Sequence, residues 1–472
     1  MMAGCIIRRD PDYRMYQRGV FQRFVDEGLA QAAFLVGCER TREAVVIDPR
    51  RDVSAFVAAA AAHELTIVAA IETHVHADFV SGARELQALG ARVYTGPGAD
   101  LEYTHQQVRD GETLQIGACR LTFLHTPGHT PEHIAVLAEG PDAPSRLFTG
   151  DLLFVGAVGR PDLLGEAQTR TLASQLFDSL QRVASLGADV EVHPGHGAGS
   201  LCGAGIGKEP SSTIARERAQ NAMLRYRDRA AFVDAVMRDI PETPPYFARM
   251  KQINRFGPPL LEEIAPREVP SVRPAAAAAL AVDGALILDL RSEEAFAEAH
   301  PDGALHLTFG SKVGYWSGWV VPPEAPILLL VDEPGQGRDA AVQLRRVGLD
   351  RIAGMIVGFE GWSGAGLPVS SLDRISPDAL RGLLDAHQPI RVVDVRTPRE
   401  WQAGHIPGSI NVPVGQIAER AAELAGEVPL ATICEGGFRS SLAASLLARE
   451  GVAKVVNVTG GMAAYRAVEA TS

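Results

Sequence analysis

Cysteine is scarce in this chain, and long apolar runs are absent from it. The 472 residues include only five cysteines, at positions 5, 38, 119, 202 and 434, an odd number too widely spaced for a disulfide framework. The richest apolar stretch, around 275–290, is interrupted by Asp283 and Gly284, so no segment approaches the ~18 residues of a membrane span. The first residues also lack the apolar core of a signal peptide. We therefore expect a cytoplasmic protein with free thiols.

Positive charge is in short supply as well. The chain has 45 basic and 57 acidic residues, a net charge of −12, which argues against a nucleic acid or an anionic membrane as the main partner. Hydrophobic residues make up 46% of the sequence and charged residues 22%, values that exclude wholesale disorder. At about 150 residues per domain, the length indicates roughly three domains.

An internal repeat defines the second half of the chain. The sequence Asp289-Leu-Arg291 recurs as Asp394-Val-Arg396, and His300 recurs as His405 at the same offset of 105 residues. Repeats of this length are whole domains, and their alternating strand and helix patterns indicate parallel sheets covered on both faces. The predicted domains are residues 1–265, 266–372 and 373–472.

Histidine is concentrated in the first of these domains. Eight of the 13 histidines lie between His74 and His196. The apolar segments 65–71, 146–149 and 189–193 are predicted strands, and each leads into a loop with imidazole or carboxylate side chains. These side chains, together with one further loop histidine, are His74, His76, Asp78, His129, Asp151 and His196. Such ligands at strand ends predict a site for zinc, iron or manganese.

In order and spacing, these residues resemble the metallo-β-lactamase superfamily, which implies an αββα sandwich, here with a helical C-terminal extension. The superfamily histidine after Asp78 is replaced by Phe79, so a dinuclear zinc centre would lack a ligand. The resemblance to the persulfide dioxygenase branch implies one Fe(II) per chain, bound by His74, His129 and Asp151, with zinc as the alternative. It also implies that His76, Asp78 and His196 orient the ligands or line the pocket.

Two further residues of this domain are candidates for substrate contacts. Arg160, which follows Asp151, is expected to pair with a carboxylate of a thiol carrier, or else to be an ordinary loop arginine. Cys202, six residues after His196, either receives and passes sulfur or is a small buried side chain.

A second constellation lies near the C-terminus. After an apolar strand and before a helical pattern come Cys434, Glu435, Gly436, Gly437, Phe438, Arg439 and Ser440. Backbone N–H groups of such a loop form an anion cradle at a helix N-terminus, and Arg439 would help to stabilise an anionic, nucleophilic sulfur. Only four residues separate Cys434 from Arg439, one fewer than in the Cys-x5-Arg phosphatases. With the Asp394 and His405 segments, the loop resembles a rhodanese, which implies a persulfide on Cys434. The first repeat has Asp332 at this position and is expected to be catalytically silent.

The whole chain resembles bacterial persulfide dioxygenase–rhodanese fusions. The resemblance implies oxidation of a low-molecular-weight thiol persulfide, such as glutathione persulfide, by O2 to sulfite. It also implies sulfur transfer through Cys434 that forms or uses thiosulfate, and a homodimer or higher homo-oligomer without nucleic-acid or membrane partners. Two alternatives stay open: a zinc thioester hydrolase of the glyoxalase II type fused to a sulfurtransferase, and a non-enzymatic sulfide sensor or sulfur carrier. The sequence leaves open the thiol carrier and the direction of sulfur transfer.

Overall fold

The chain folds into two units, seen in a computed structural model that describes residues 19–141, 143–238, 240–264 and 268–470. The first unit comprises residues up to 264 with 346–348, and the second comprises 265–345 and 349–472. Cys5 and the predicted domain boundary at 265–266 lie outside the described residues. The predicted boundary at 372–373 stays a prediction.

The first unit is built on two facing sheets. Their strands, with a short hairpin (β11 and β12), are β1 (Val20–Asp26), β2 (Gln31–Cys38), β3 (Glu43–Ile47), β4 (Thr66–Ile71), β5 (Arg92–Thr95), β6 (Gln106–Gln107), β7 (Thr113–Ile116), β8 (Cys119–His125), β9 (Ile134–Gly140), β10 (Ala143–Gly150), β11 (Leu153–Phe154), β12 (Ala157–Val158), β13 (Glu191–Pro194) and β14 (Ser212–Thr213). One sheet has the order β1-β2-β3-β4-β5-β6, and the other has the order β14-β13-β10-β9-β8-β7.

Each sheet mixes strand directions. In the first sheet β1, β2 and β3 pair antiparallel, and β3 to β6 pair parallel. In the second sheet β10 pairs parallel with β13 and antiparallel with β9. The two inner faces share one apolar core, in which Phe34 and Ile47 of the first sheet lie with Phe123 and Phe148 of the second. Burial of these large side chains is the main force that holds the sheets together.

Helices cover the outer faces of both sheets. They are α1 (Ser54–Ala62), α2 (Ala83–Ala88), α3 (Glu166–Ala184), α4 (Ile214–Gln220), α5 (Arg229–Arg238), α6 (Phe247–Phe256) and α7 (Leu261–Ile264). The helices α1 and α2 bury Phe56 and Leu86 in the core outside the first sheet. Along α3, Leu172, Leu176 and Leu180 recur at helical spacing and pack outside the second sheet. The predicted αββα sandwich is therefore confirmed.

The second unit contains two parallel sheets. Its strands are β15 (Leu286–Asp289), β16 (His300–Pro301), β17 (Leu305–His306), β18 (Ile327–Val331), β19 (Ile352–Val357), β20 (Val369–Ser370), β21 (Asp373–Ile375), β22 (Arg391–Asp394), β23 (Ile410–Asn411), β24 (Leu430–Ile433) and β25 (Val455–Val458). The sheet orders are β17-β15-β18-β19 and β21-β25-β24-β22-β23, and every pairing within them is parallel. These sheets confirm the predicted α/β class.

Helices alternate with these strands along the chain. They are α8 (Pro274–Val282), α9 (Glu293–Glu298), α10 (Val313–Val320), α11 (Pro334–Arg346), α12 (Glu360–Gly364), α13 (Pro377–Asp385), α14 (Pro398–Gln402), α15 (Ile417–Leu424), α16 (Phe438–Arg449) and α17 (Gly461–Ala470). No helix of the described residues is long and apolar enough to cross a bilayer.

The internal repeat is visible in local contacts of the second unit. Arg291 forms a two-pronged ion pair with Asp289, and Arg396 forms the same pair with Asp394. His300 stacks on an aromatic ring four residues earlier at a centroid distance of 3.7 Å, and His405 does likewise at 3.7 Å. Two segments that share so little sequence therefore build the same turn after the same strand.

Candidate functional site

The six metal-type residues of the first unit gather at the ends of four strands. His74, His76 and Asp78 follow β4, whereas His129, Asp151 and His196 follow β8, β10 and β13 respectively. All six side chains are buried. Strand ends from two facing sheets thus bring together residues that are up to 122 positions apart in the sequence.

Three atoms converge without hydrogen-bond partners. Nε2 of His74 and Nε2 of His129 lie 3.9 and 3.5 Å from Oδ2 of Asp151. None of these three atoms has a hydrogen-bond partner among the described residues, although all are buried. Leaving three polar atoms unsatisfied in the interior is costly, and a cation bound among them would satisfy all three. The residues therefore form a candidate metal-binding His/Asp site.

The other ring nitrogens fix the tautomers of the two histidines. His129 donates its Nδ1–H to the carbonyl oxygen of Arg160 at 2.8 Å. His74 Nδ1 lies 3.0 Å from the Thr73 hydroxyl, whose only proton is donated to Asp48 Oδ2 at 2.9 Å. The Thr73 oxygen must therefore accept from His74, and both Nε2 atoms carry free lone pairs. Burial lowers the pKa of both rings, which keeps them neutral.

His196 is held between two carboxylates. Its Nδ1 lies 2.7 Å from Asp151 Oδ1, and its Nε2 lies 2.8 Å from Asp78 Oδ2. Although burial disfavours the cation, the negative charge of Asp151 raises the pKa of His196 well above its usual value. With both nitrogens engaged, His196 positions Asp151 and aims its other carboxylate oxygen at the two histidines.

His76 is tied to two carboxylates through one nitrogen, and its Nδ1 has no hydrogen-bond partner among the described residues. Its Nε2 lies 3.2 Å from Asp48 Oδ1 and 3.3 Å from Glu72 Oε2. Burial would lower the pKa of His76, but the two carboxylates raise it to about 10. The ring of Phe79 packs on His76 at a centroid distance of 4.3 Å and is fully buried. Phe79 therefore fills, as part of the core, the position where the superfamily pattern has a further histidine.

Helix α6 supplies a residue that sequence reasoning missed. The Asn254 amide donates to the carbonyl oxygens of His76 and Phe79 at 2.9 and 2.8 Å, and its oxygen accepts the Ser81 N–H at 2.8 Å. Three bonds from one side chain thus hold the loop that carries His74, His76 and Asp78. Asp48 and Glu72 were also missed, because nothing in their local sequence distinguishes them from ordinary acidic residues.

The structure places the Arg160 side chain inside the protein. Its guanidinium donates to both oxygens of Asp162 at 2.7 Å, to the Leu201 carbonyl at 3.1 Å and to the Thr243 hydroxyl at 2.5 Å. Only 2% of the residue is exposed. The contact with a thiol carrier stays a prediction, and the visible role of Arg160 is to present its backbone carbonyl to His129.

Cys202 lies beside the same cluster and is also buried. One ligand-type atom each from Asp78, His196 and Cys202 lies within 4.8 Å of the others. Burial and the negative charge of Asp151 raise the pKa of the Cys202 thiol to about 12. The side chain is thus a protonated thiol at neutral pH, and its predicted part in sulfur transfer stays a prediction.

The second constellation is the loop between β24 and α16. Cys434 follows the last residue of β24, and the backbone N–H of Gly437 donates to its sulfur at 3.1 Å. Gly437 has φ +103°, a conformation that favours glycine and directs the N–H toward the sulfur. Ser440 closes the turn through a bond from its hydroxyl to the Gly437 carbonyl at 2.9 Å. The other members of the predicted cradle, Glu435, Gly436 and Phe438, lie in the segment between Cys434 and Ser440, and anion binding by this cradle stays a prediction.

Arg439 is fixed by an ion pair rather than left free. Its two terminal nitrogens donate to the two oxygens of Glu400 at 2.8 and 2.7 Å. Glu400 also closes a capping box with Thr397 at the start of α14. Burial opposes the charge of Glu400, but Arg439 and Thr397 lower its pKa to about 2. Arg439 is therefore held in a fixed position beside the loop.

The corresponding loop of the first repeat has no nucleophile and no open cradle. The backbone N–H groups of Asp332 and Glu333 both donate to the Gln336 side-chain oxygen, at 3.0 and 3.2 Å. The loop thus satisfies these two donors with its own side chain, and the catalytic silence of this repeat stays a prediction.

Comparison with known proteins relates two segments of the chain to different families. The family model of the metallo-beta-lactamase superfamily matches residues 26–196, and that of the rhodanese-like domain matches residues 376–468. The crystal structure of a metallo-beta-lactamase from Staphylococcus aureus subsp. aureus COL has 33% sequence identity and a TM-score of 0.64. That similarity covers 72% of this chain and 99% of the other.

Two curated relatives match shorter segments. Hydroxyacylglutathione hydrolase of Francisella tularensis subsp. tularensis (strain WY96-3418) is 34% identical over 155 residues, 32% of this chain and 58% of that protein. The putative sulfur carrier protein YrkF of Bacillus subtilis (strain 168) is 37% identical over 93 residues, 20% of this chain and 50% of that protein. The matched segments thus span only about half of each curated relative.

For the first unit, the fold, the buried His/Asp cluster and the sequence similarity all indicate a metallo-beta-lactamase domain. For the second unit, the loop at Cys434 lies within the segment that matches the rhodanese-like family model. The chain belongs to the metallo-beta-lactamase superfamily, and in it a metallo-beta-lactamase domain is followed by a rhodanese-like domain.

Proposed function

We propose that the first unit is a persulfide dioxygenase with one Fe(II), bound by His74, His129 and Asp151. The observation that carries this proposal is the set of three unpartnered ligand atoms, while His196 and His76 are tied to carboxylates. Two imidazoles and one carboxylate are the ligand set of non-haem Fe(II) oxygenases. Bound there, iron would supply open positions for a sulfur ligand and O2.

The net reaction converts a thiol persulfide, O2 and water into the thiol, sulfite and two protons (RSSH + O2 + H2O → RSH + SO3²⁻ + 2 H⁺). In this reaction the protein's own groups act by positioning. His196 holds Asp151, the Arg160 carbonyl holds His129, and Thr73 holds His74. Partners of this kind keep ligand orientation and basicity fixed.

We propose further that the second unit transfers sulfane sulfur through Cys434. The Cys434 thiolate attacks the terminal sulfur of a persulfide, the S–S bond of the donor breaks, and the thiol leaves with the electron pair. The resulting Cys434 persulfide then gives its outer sulfur to sulfite, which forms thiosulfate and restores the thiolate. The Gly437 N–H, 3.1 Å from the sulfur, would stabilise the anion in both states.

A second candidate function is thioester hydrolysis with zinc in the first unit. It is favoured by the 34% identity to a hydroxyacylglutathione hydrolase over 155 residues. There a metal-activated water would attack an acyl thioester. Phe79 occupies a position where the superfamily has a ligand, and two carboxylates engage both nitrogens of His196. Both observations count against a second metal, so thioester hydrolysis is the weaker candidate.

Metal analysis of the purified full chain, combined with O2 uptake on glutathione persulfide, tests the proposal. We expect about one iron per chain, as one ligand set implies, with O2 consumption and formation of sulfite or thiosulfate. Replacing His129 with Ala should abolish O2 uptake, whereas the matched variant His63→Ala, in a half-buried position after α1, should not. Zinc in the protein, thioester hydrolysis and no O2 uptake would establish the hydrolase instead.

A further inference from the structure

The silent repeat reaches the sulfur-transfer loop of the active repeat. Glu293 is the first residue of α9, which belongs to the first repeat. Its Oε2 lies 3.0 Å from the point that a β-carbon on Gly437 would occupy. Gly437 is also the residue whose N–H faces the Cys434 sulfur. A carboxylate from one repeat therefore lies against the anion cradle of the other.

Contacts from both sides hold Glu293 in this position. The Asn457 amide of β25 donates to Oε1 at 2.8 Å, and the Arg374 guanidinium lies 3.6 Å from the same oxygen. The side chain is 20% exposed, so it faces solvent only in part. Its neighbour Glu294 pairs with Arg374 at 2.9 Å but is 67% exposed.

A second contact joins the same two repeats. Nδ1 of His306 in β17 lies 2.6 Å from the Ser441 hydroxyl, and the backbone N–H of His306 donates to the Ser445 hydroxyl at 3.1 Å. Ser441 and Ser445 both belong to α16, whose first turn carries the cradle. The silent repeat therefore buttresses the helix of the active loop as well as placing Glu293 at its start.

The cations around the loop are already neutralised. Arg439 pairs with Glu400, and Arg396 pairs with Asp394 and Glu435. Arg466 also pairs with Glu435, and Arg374 is shared by Glu293 and Glu294, so one negative charge of this trio is left unbalanced. Each of these four guanidinium groups is already paired with a carboxylate. A compact dianion at the cradle would therefore meet backbone N–H donors and the Glu293 carboxylate.

We propose that Glu293 is a specificity-determining residue that makes the Cys434 loop take sulfur from an organic persulfide in preference to thiosulfate. The inference rests on the sulfur transfer proposed above. With thiosulfate, the Cys434 thiolate would attack the sulfane sulfur, the S–S bond would break, and sulfite would leave with the electron pair (Cys–S⁻ + S–SO3²⁻ → Cys–S–S⁻ + SO3²⁻). The carboxylate repels a donor with two charges beside the loop more than a donor with one.

The test measures how fast Cys434 acquires sulfur in the full chain. Rapid quenching and intact-protein mass spectrometry follow the 32-Da gain with thiosulfate or glutathione persulfide, without O2 so that the first unit is idle. We expect Glu293→Gln to accelerate loading from thiosulfate by about tenfold. This is the effect expected when one negative charge that repels a dianion in a largely aqueous medium is removed. Loading from glutathione persulfide, the donor with one charge at the loop, should rise by about threefold at most, because the Coulomb energy scales with the charge of the donor. The gain with thiosulfate should shrink at high salt.

Two variants make the result decisive. Glu294→Gln is the matched control on the same helix and should leave both rates unchanged. Glu293→Asp keeps the charge and should load from thiosulfate as slowly as the wild type. Equal thiosulfate rates for Glu293→Gln and Glu294→Gln would overturn the inference, as would a fast Glu293→Asp. If wild-type Cys434 gains sulfur from neither donor, the sulfur-transfer proposal itself fails.

Discussion

At the scale of single residues, the pairing of individual atoms decides which side chains of the first unit are available to a metal. His74, His129 and His196 are all buried histidines of one cluster, yet only the first two have a free Nε2. Local partners produce this difference: a hydroxyl and a carbonyl take the Nδ1 protons of His74 and His129, whereas carboxylates occupy both nitrogens of His196. The same residue type thus serves as candidate ligand or as positioning group.

His129→Ala should remove metal from the first unit. Loss of a direct ligand should weaken Fe(II) binding by more than the ~10–100-fold that loss of an outer partner costs. Iron per chain, measured after purification and dialysis, is the readout. His63→Ala provides the control, and a His129→Ala protein with full iron content would rule out this histidine as a ligand.

Asn254→Ala should weaken the site without touching a ligand. The substitution leaves the carbonyls of His76 and Phe79 and the Ser81 N–H without their partner, which should cost about 1–3 kcal/mol of unfolding free energy. The loosened loop should also lower iron affinity by ~10–100-fold. Urea unfolding and iron titration measure the two effects. Gln252→Ala, at an exposed position of the same helix, should change neither.

At the scale of secondary-structure elements, the sulfur-transfer loop depends on the junction of α14 with α16. Glu400 caps α14 and holds Arg439, the second residue of α16. One carboxylate therefore fixes a helix start and the charged residue of the loop. The first repeat lacks this junction, because Ala295 occupies the position that corresponds to Glu400.

This junction predicts an acid-sensitive contribution to stability. The pKa of Glu400 is lowered to about 2 in the folded protein, from an ordinary value of 4.5. The ionised carboxylate therefore stabilises the fold above about pH 4.5, and this contribution is lost as the pH falls toward 2. In unfolding experiments between pH 6 and 3, Glu400→Gln should lose less stability on acidification than the wild type. An unchanged slope would contradict the assignment, and Glu450→Gln, at an exposed position, is the control.

At the scale of the whole molecule, the chain combines two sites with separate chemistry. Each site lies within its own unit, and each is built only from residues of that unit. Within the second unit the two repeats contact each other, since Glu293 lies against Gly437 and His306 lies against Ser441.

The two activities should therefore be separable by single substitutions in the full chain. Cys434→Ser should abolish sulfur loading and leave O2 uptake on glutathione persulfide within about twofold of wild type, because the two sites have no residue in common and substitutions without shared partners act independently. His129→Ala should show the converse pattern. Parallel O2-electrode and mass-spectrometry assays provide the measurement, and loss of both activities in either variant would indicate coupling between the sites.

Much of this organisation was readable from local sequence. The segments predicted as strands correspond to β4, β10 and β13. The order of histidines and aspartates, the Cys434 loop and the 105-residue repeat are also local patterns. They could be predicted because strand periodicity, loop ligands and a Cys–Gly–Arg turn depend on neighbours in the chain.

What only the tertiary structure decided concerns partners that are far apart in sequence. Asn254 holds a loop some 175 residues earlier, and Glu293 lies against Gly437. The Arg160 side chain pairs with Asp162 inside the fold, and its backbone carbonyl accepts a hydrogen bond from His129. The sequence determined which chemical groups the protein has and on which elements they lie. Folding decided which atoms of those groups remain free, because a hydrogen bond or an ion pair depends on distance in space.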